Sequence, residues 1–306
     1  MGRTYFVEDS VEQYLQNILD TSGKACVTGL LIGQCSPQRD FVLLAVRTSP
    51  KETQSDEVDE EWVVEHATQV SRMLPGGLAV LGVFLRAAPE LSIQAQNILR
   101  RSSAKPADWK YQTGLSASWP VLECNVEVDL QVPVPADFAN RELDKCIEKF
   151  KTDDRSTALV QKSSGTVVLK GVVHCKAYIH TNKPKVKDAV QALKRDVLNT
   201  VAIRSQMLFE DFYLDPEGYT EKGARTEEYP LPKRVFVPLA GTGVMICDYM
   251  FKDEAPKDIQ FRIKELLDLD VKEDQLDMLL EIDSDIVVAE PETSQLLENP
   301  SKTGGL

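Results

Sequence analysis

The chain has 306 residues, 35 basic against 48 acidic side chains, and a formal charge of −13. A hydrophobic share of 42% is enough to build a core, which excludes wholesale disorder. So acidic a chain lacks the clustered Lys and Arg that grip a phosphate backbone, which excludes a general nucleic-acid binder.

A first helix is expected from Ser10 to about Leu19, where Val11, Tyr14, Leu15 and Ile18 recur at helical spacing and Ser10 can cap the start. Two apolar runs follow, Cys26 to Gly33 and Phe41 to Val46, and read as a hairpin-like pair of buried strands. Residues 51–61 are a polar, acidic loop. A second helix is expected from about Asp59 to Met73, with Trp62, Val63, His66, Val70 and Met73 near one face, closed by Pro75-Gly76-Gly77. Leu78 to Leu85 reads as an apolar strand, and Glu90 to Arg100 as a helix.

From Val121 to Val132 the even positions are apolar and the odd ones from Glu123 polar, so one strand face is core and the other wet. A short helix is expected over Asp137 to Phe150. Val167 to Ile179 alternates again, with Lys170, His174, Lys176, Tyr178 and His180 on its wet face. If the two strands are neighbours, Glu127 or Asp129 can pair with Lys170 or Lys176. The longest helix starts after Asn182, with Val186, Val190, Leu193, Val197, Val201 and Leu208 as its apolar stripe and Lys185, Lys187, Lys194 and Arg195 on its polar side. A linker spans about 215–232, Val235 to Leu239 and Val244 to Phe251 form a hairpin, and Ile259 to Leu267 is the last helix. Residues 270–306 hold ten acidic residues and two lysines and read as an acidic, disordered tail. The class is α/β in the broad sense, α+β with mixed and antiparallel sheets. The expected modules are 1–115, 116–269 and the tail.

Chemistry is sparse. The six cysteines (Cys26, Cys35, Cys124, Cys146, Cys175, Cys247) include no C-x-x-C pair and read as reduced thiols of a cytosol-facing protein. His66 reads as a helix histidine at the edge of a core, and His174 and His180 lie six residues apart on one strand, too far to share a metal. Gly29-Leu-Leu-Ile-Gly33 has G-x-x-x-G spacing in a segment too short for a membrane helix, and Gly241-Thr-Gly243 is a turn without a third glycine. The N-terminus lacks a signal peptide, Phe6 departs from a myristoylation pattern, and no run approaches a membrane span. No catalytic, metal-binding or cofactor-binding residue is nominated.

Several longer segments carry a resemblance. Met1-Gly-Arg-Thr-Tyr5, Gly29-Leu-Leu-Ile-Gly-Gln-Cys35, Asp59-Glu-Glu-Trp62, Gln69-Val-Ser-Arg-Met-Leu-Pro-Gly-Gly77, Leu81-Gly-Val-Phe84 and Pro106-Ala-Asp-Trp-Lys-Tyr111 resemble the odorant-response-abnormal family (Odr-four). So do Lys183 to Val190, Met207-Leu-Phe-Glu-Asp211 and Arg234-Val-Phe-Val-Pro238. The resemblance implies a non-enzymatic adaptor on the cytosolic face of the endoplasmic reticulum membrane. Such an adaptor would serve the trafficking of odorant and other G-protein-coupled receptors, its cargo. It would also pair, as a heterodimer, with the protease specific for the ubiquitin-fold modifier. The family's inserts near Arg101–Pro106 and around 132–155 are short here, and its C-terminal anchor is expected to be missing, leaving a soluble chain.

A further resemblance reaches the MPN (JAMM-like) fold in the N-terminal module. Active members place a glutamate shortly before the first glycine, where Cys26 and Val27 stand, and an H-x-H zinc pair after the later strand, where Leu85-Arg86-Ala87-Ala88 stands. Without those ligands the module would be catalytically dead. By analogy with the pairing of such domains, the partner-binding residues are Met73, Leu78, Val80, Leu81, Val83 and Phe84. The rival readings are a divergent hydrolase or isopeptidase of MPN type, and a receptor-escort chaperone acting without the protease.

Overall fold

In a computed structural model the structure describes residues 4–22, 26–37, 39–49, 59–91, 108–135, 163–180, 185–214, 231–277 and 286–289. The elements are β1 (Thr4–Glu8), α1 (Asp9–Ser22), β2 (Cys26–Cys35), β3 (Arg39–Arg47), α2 (Glu60–Arg72), β4 (Ala79–Ala87) and β5 (Asp108–Gln112). They continue with β6 (Val121–Pro135), β7 (Ser163–Tyr178), α3 (Val186–Leu214), β8 (Lys233–Pro238), β9 (Met245–Met250), α4 (Pro256–Leu267) and β10 (Ile286–Ala289). The class is mixed α/β, as expected. The helices expected over 90–100 and 137–150, the 51–58 part of the acidic loop and most of the 215–232 linker lie outside the described residues, apart from a short 3-10 turn at Pro89–Leu91.

Chain contacts divide the protein into two units that are discontinuous in sequence. One gathers Met1–Val126, Val173–Phe209 and Pro232–Glu281; the other gathers Glu127–Val172, Glu210–Leu231 and Ile282–Leu306. Each unit gathers separate stretches of sequence because distant strands pair, which alternation along one stretch does not report.

In the first unit a five-stranded sheet runs in the order β4-β2-β3-β1-β5. β2 pairs antiparallel with β3 and β4, while β1 lies parallel between β3 and β5. β2 and β3 read as continuous apolar runs because the sheet is covered on both faces. On one face Val7, Val11, Leu31, Val42 and Ala45 pack with Tyr14 and Leu15 of α1. On the other, Leu30, Ile32, Phe41, Leu43 and Val46 join Val63 and Val70 of α2, Ile259 and Ile263 of α4, and Val235, Val237 and Ile246 of the β8–β9 hairpin. Gly29 sits where β3 leaves no room: a Cβ there would lie 2.1 Å from the Val46 carbonyl oxygen. That close strand approach is what the first glycine of the G-x-x-x-G spacing serves. At the start of α2 the Asp59 carboxylate accepts the Trp62 amide at 3.0 Å, a side-chain cap on the helix N-terminus.

In the second unit β7 lies between β10 and β6, and β10 pairs antiparallel with β7 from Ile286–Leu169 to Ala289–Thr166. There Lys170 lies 3.6 Å from Asp129, one of the cross-strand pairs expected from sequence. Strand β10 falls in the tail that composition reads as disordered, and the remaining tail residues beyond Asp277 lie outside the described residues.

Two faces differ from expectation. Lys176 and Tyr178, assigned to a wet face of β7, are buried. Lys176 lies over the Phe236 ring at 4.8 Å and bonds Glu123 at 3.0 Å, while the Tyr178 hydroxyl accepts the Met245 amide at 2.9 Å. The β8–β9 hairpin covers that face. On α3, Val186 is 81% exposed and Val190 is 45% exposed, so the expected apolar stripe is not the packed one at this end. The buried row is Ala192, Asp196, Thr200 and Arg204, one residue per turn.

Candidate functional site

β4 carries four of the six residues nominated for partner binding. Leu78, just before it, and Val80 pack on the α2 side of the sheet, and Leu81 and Phe84 on the α1 side. Met73, at the end of α2, is 2% exposed and belongs to the core. Val83 is 49% exposed. β4 is also an edge of the five-stranded sheet, with β2 as its one neighbour in the strand order. Among the described residues no second strand pairs with β4, and Val83 is the most exposed of the nominated side chains.

The β2–β4 ladder sets Cys26 opposite Ala87, Val27 opposite Arg86 and Thr28 opposite Leu85. The two stretches that would carry a glutamate and a zinc-binding histidine pair in an active MPN enzyme are thus brought side by side. They hold a thiol, a hydroxyl, a guanidinium and alkyl groups. Among the described residues no group of three His, Cys, Asp or Glu could hold a metal ion.

The histidines are committed to structure. His66 Nε2 lies 2.7 Å from the Leu266 carbonyl, which can only accept, so Nε2 carries the proton and Nδ1 takes the Thr48 hydroxyl at 3.1 Å. The ring ties α2 to β3 and the end of α4, and burial lowers its pKa. His174 Nδ1 faces the Asn125 side-chain oxygen at 2.7 Å, and the ring of His180 stacks on Phe41 at 4.7 Å. Burial pushes the Cys175 thiol up to about 12 and the Cys247 thiol up to about 11, so neither is a thiolate near neutrality.

A concentrated arrangement of buried charge was not anticipated from sequence. Asp196 of α3 and Arg234 of β8 are 1% and 2% exposed. The guanidinium donates twice to the carboxylate, Nη1 to Oδ2 and Nη2 to Oδ1, each at 2.8 Å. The same carboxylate accepts the Gly76 amide at 2.9 Å and the Lys176 amide at 2.8 Å. Gly76 in turn exchanges main-chain bonds with Lys176 and Tyr178, as if adding one residue to the free side of β7. A Cβ on Gly76 would lie 2.4 Å from the Ala192 carbonyl oxygen, which explains the glycine after Pro75. One turn further along α3, Thr200 accepts the Tyr249 hydroxyl at 3.0 Å, and Arg204 lies over the Tyr249 ring at 5.6 Å. The signal was present in Asp196, Thr200 and Arg204 at four-residue spacing, but polar residues on a helix are read as solvated by default. This centre is closed to solvent, and its Asp196 carboxylate accepts four hydrogen bonds. It is a structural clamp, holding α3, β7, β8 and the loop before β4, rather than a reaction site.

The family model described as Odorant response abnormal 4-like matches residues 29–102, 97–152 and 148–278. A human protein named "Protein odr-4 homolog" is 39% identical over 412 aligned positions, covering 98% of this chain and 90% of that protein. The mouse protein of the same name is 38% identical over 99% of this chain and 91% of its own length, and the chicken protein 39% over 93% and 88%. The human alignment is longer than the 306 residues present, so the relative carries residues without a counterpart here. Among solved structures, the "Crystal structure of UfSP from C. elegans" is similar over 88% of this chain and 57% of that one, at 10% identity and a TM-score of 0.48, too slight a likeness to bear on the fold.

Proposed function

Because the chain belongs to the Odorant response abnormal 4-like family, we propose that it is a non-enzymatic adaptor in the trafficking of odorant and other G-protein-coupled receptors. In this reading it works at the cytosolic face of the endoplasmic reticulum and recruits the protease specific for the ubiquitin-fold modifier. The family membership carries the proposal. One feature of the geometry supports it: among the described residues β4 pairs with β2 alone, and a strand edge of that kind is a feature through which one protein adds a strand to another.

The test is recovery from cells. The full-length protein expressed in cells is expected to bring down the protease and receptor cargo. A Val83→Lys variant, at an already exposed position, is expected to lose about tenfold or more of the protease while staying folded. Recovery of neither partner by the intact form would overturn the adaptor reading. Receptor recovery without the protease would favour an escort chaperone, and isopeptidase activity abolished by chelation would make it an enzyme.

A further inference from the structure

The side chains of β6 and β7 fix their register. Glu123 faces Lys176 at 3.0 Å, Asn125 faces His174 at 2.7 Å, and the Ile179 amide donates to the Pro120 carbonyl at 3.4 Å. Each step along one strand is matched by a step back along the other, so Cys124 stands directly opposite Cys175. Hydrogen-bonded and non-bonded pairs alternate along an antiparallel ladder. With Pro120 and Ile179 as a bonded pair, Cys124 and Cys175 form another, and Cα atoms of such pairs lie about 5.5 Å apart. That is within the span a disulfide bridges, although the Cβ atoms of a bonded pair must twist together to reach it. The two thiols already interact: Cys124 is a partner, by charge and hydrogen bond, of Cys175.

The two sulfurs differ in access. Among the described strands β6 is the edge of its sheet and Cys124 is half-buried, whereas Cys175 lies on the central strand with 0% exposure. We propose that Cys124 and Cys175 form a reversible cross-strand dithiol, oxidised to a disulfide by hydrogen peroxide. Cys124 gives up its proton and its sulfur attacks one peroxide oxygen. The S–O bond forms, the O–O bond breaks, and the departing hydroxide takes the proton as water. Cys175 then deprotonates and attacks the Cys124 sulfenic sulfur. The S–S bond forms, the S–O bond breaks, and a second hydroxide leaves as water. Two thiols lose two electrons and the peroxide is reduced to two waters.

The second step is the slow one. Burial, with Asp196 and Cys124 beside it, pushes the Cys175 thiol up to about 12, against the lowering by Arg234. Disulfide closure therefore accelerates about tenfold per pH unit below that value, as the thiolate fraction does. Strain at a hydrogen-bonded pair makes the bond readily reducible, which suits a transient state.

The experiment treats the reduced full chain with hydrogen peroxide, blocks remaining thiols by alkylation and maps peptides without reduction. A Cys124–Cys175 peptide is expected as the main cross-link, vanishing on dithiothreitol and forming faster at higher pH. In Cys175→Ala the Cys124 sulfenic acid is expected to persist and be trapped by dimedone. A wild-type chain in which Cys124 goes on to sulfinic acid without linking, or links instead to Cys146 or Cys26, overturns the proposal. Because the decisive readout is on the wild-type chain, a variant that fails to fold does not spoil it.

Discussion

The first unit is held by two kinds of interior. Around β2 and β3 the interior is apolar on both sheet faces, and each side chain contributes by leaving water. Around Asp196 and Arg234 it is ionic, and the same burial is favourable only because every charge meets a partner. Truncation in the first interior leaves a gap whose cost scales with its size, whereas truncation of Asp196 leaves the Arg234 charge and the Lys176 amide stranded. The ionic interior is therefore the more brittle, and it is where loop, helix and two strands meet.

The largest effect separates them. Asp196→Ala is expected to cost roughly 3–5 kcal/mol, because it leaves Arg234 buried and uncompensated. Leu30→Ala, in the apolar interior, is expected to cost roughly 2–5 kcal/mol from lost transfer energy and a cavity. Urea unfolding of both measures the difference. The sharper test is the double variant Asp196→Leu with Arg234→Met. An ionic clamp predicts a double cost well below that of Asp196→Ala, since the stranded charge is gone; an additive outcome would show the pair to be no clamp at all. Gly76→Ala comes next, at roughly 1–3 kcal/mol of overpacking, because its Cβ would press on the Ala192 carbonyl oxygen from 2.4 Å.

The apolar interior was legible in sequence and the ionic one was not. The β2–β3 pair, the α2 helix, the alternation of β6 and β7 and the β8–β9 hairpin all follow from local pattern, because periodicity reports which face is buried. Periodicity does not report what does the burying. Lys176 and Tyr178 were assigned to water because their face is polar in part, and only the hairpin packed over it makes that face interior. Asp196 and Arg234 lie far apart in the chain, so neither sequence neighbourhood shows that one neutralises the other. β1 was missed because five residues between two distant parallel partners leave too short a pattern. The proposed docking edge was half legible: β4 is apolar from Ala79 to Leu85, but its position at the sheet edge is a property of topology.

Smaller effects belong to the rim of the apolar interior, where polar side chains fasten helices to it. Asp59→Ala removes the cap on α2 and is expected to cost about 1 kcal/mol by thermal unfolding, with Asp59→Ser recovering most of it.

The smallest is a pH effect through His66, and its sign follows from burial. Burial holds the folded pKa below the ordinary histidine value of about 6.5, so between the two values the unfolded chain binds a proton that the folded chain refuses. The stability this provides is complete above about pH 6.5 and drains away as pH falls toward the folded pKa, at no more than about 1.4 kcal/mol per pH unit for one proton. The loss has a structural cause: a charged ring carries a proton on Nδ1, which then competes with the Thr48 hydroxyl for the role of donor. His66→Gln keeps a donor for the Leu266 carbonyl and cannot titrate. It is expected to lower stability at neutral pH but to flatten the acid limb of the pH profile. An unchanged slope in that variant would assign the acid sensitivity to His180, whose pKa burial also lowers.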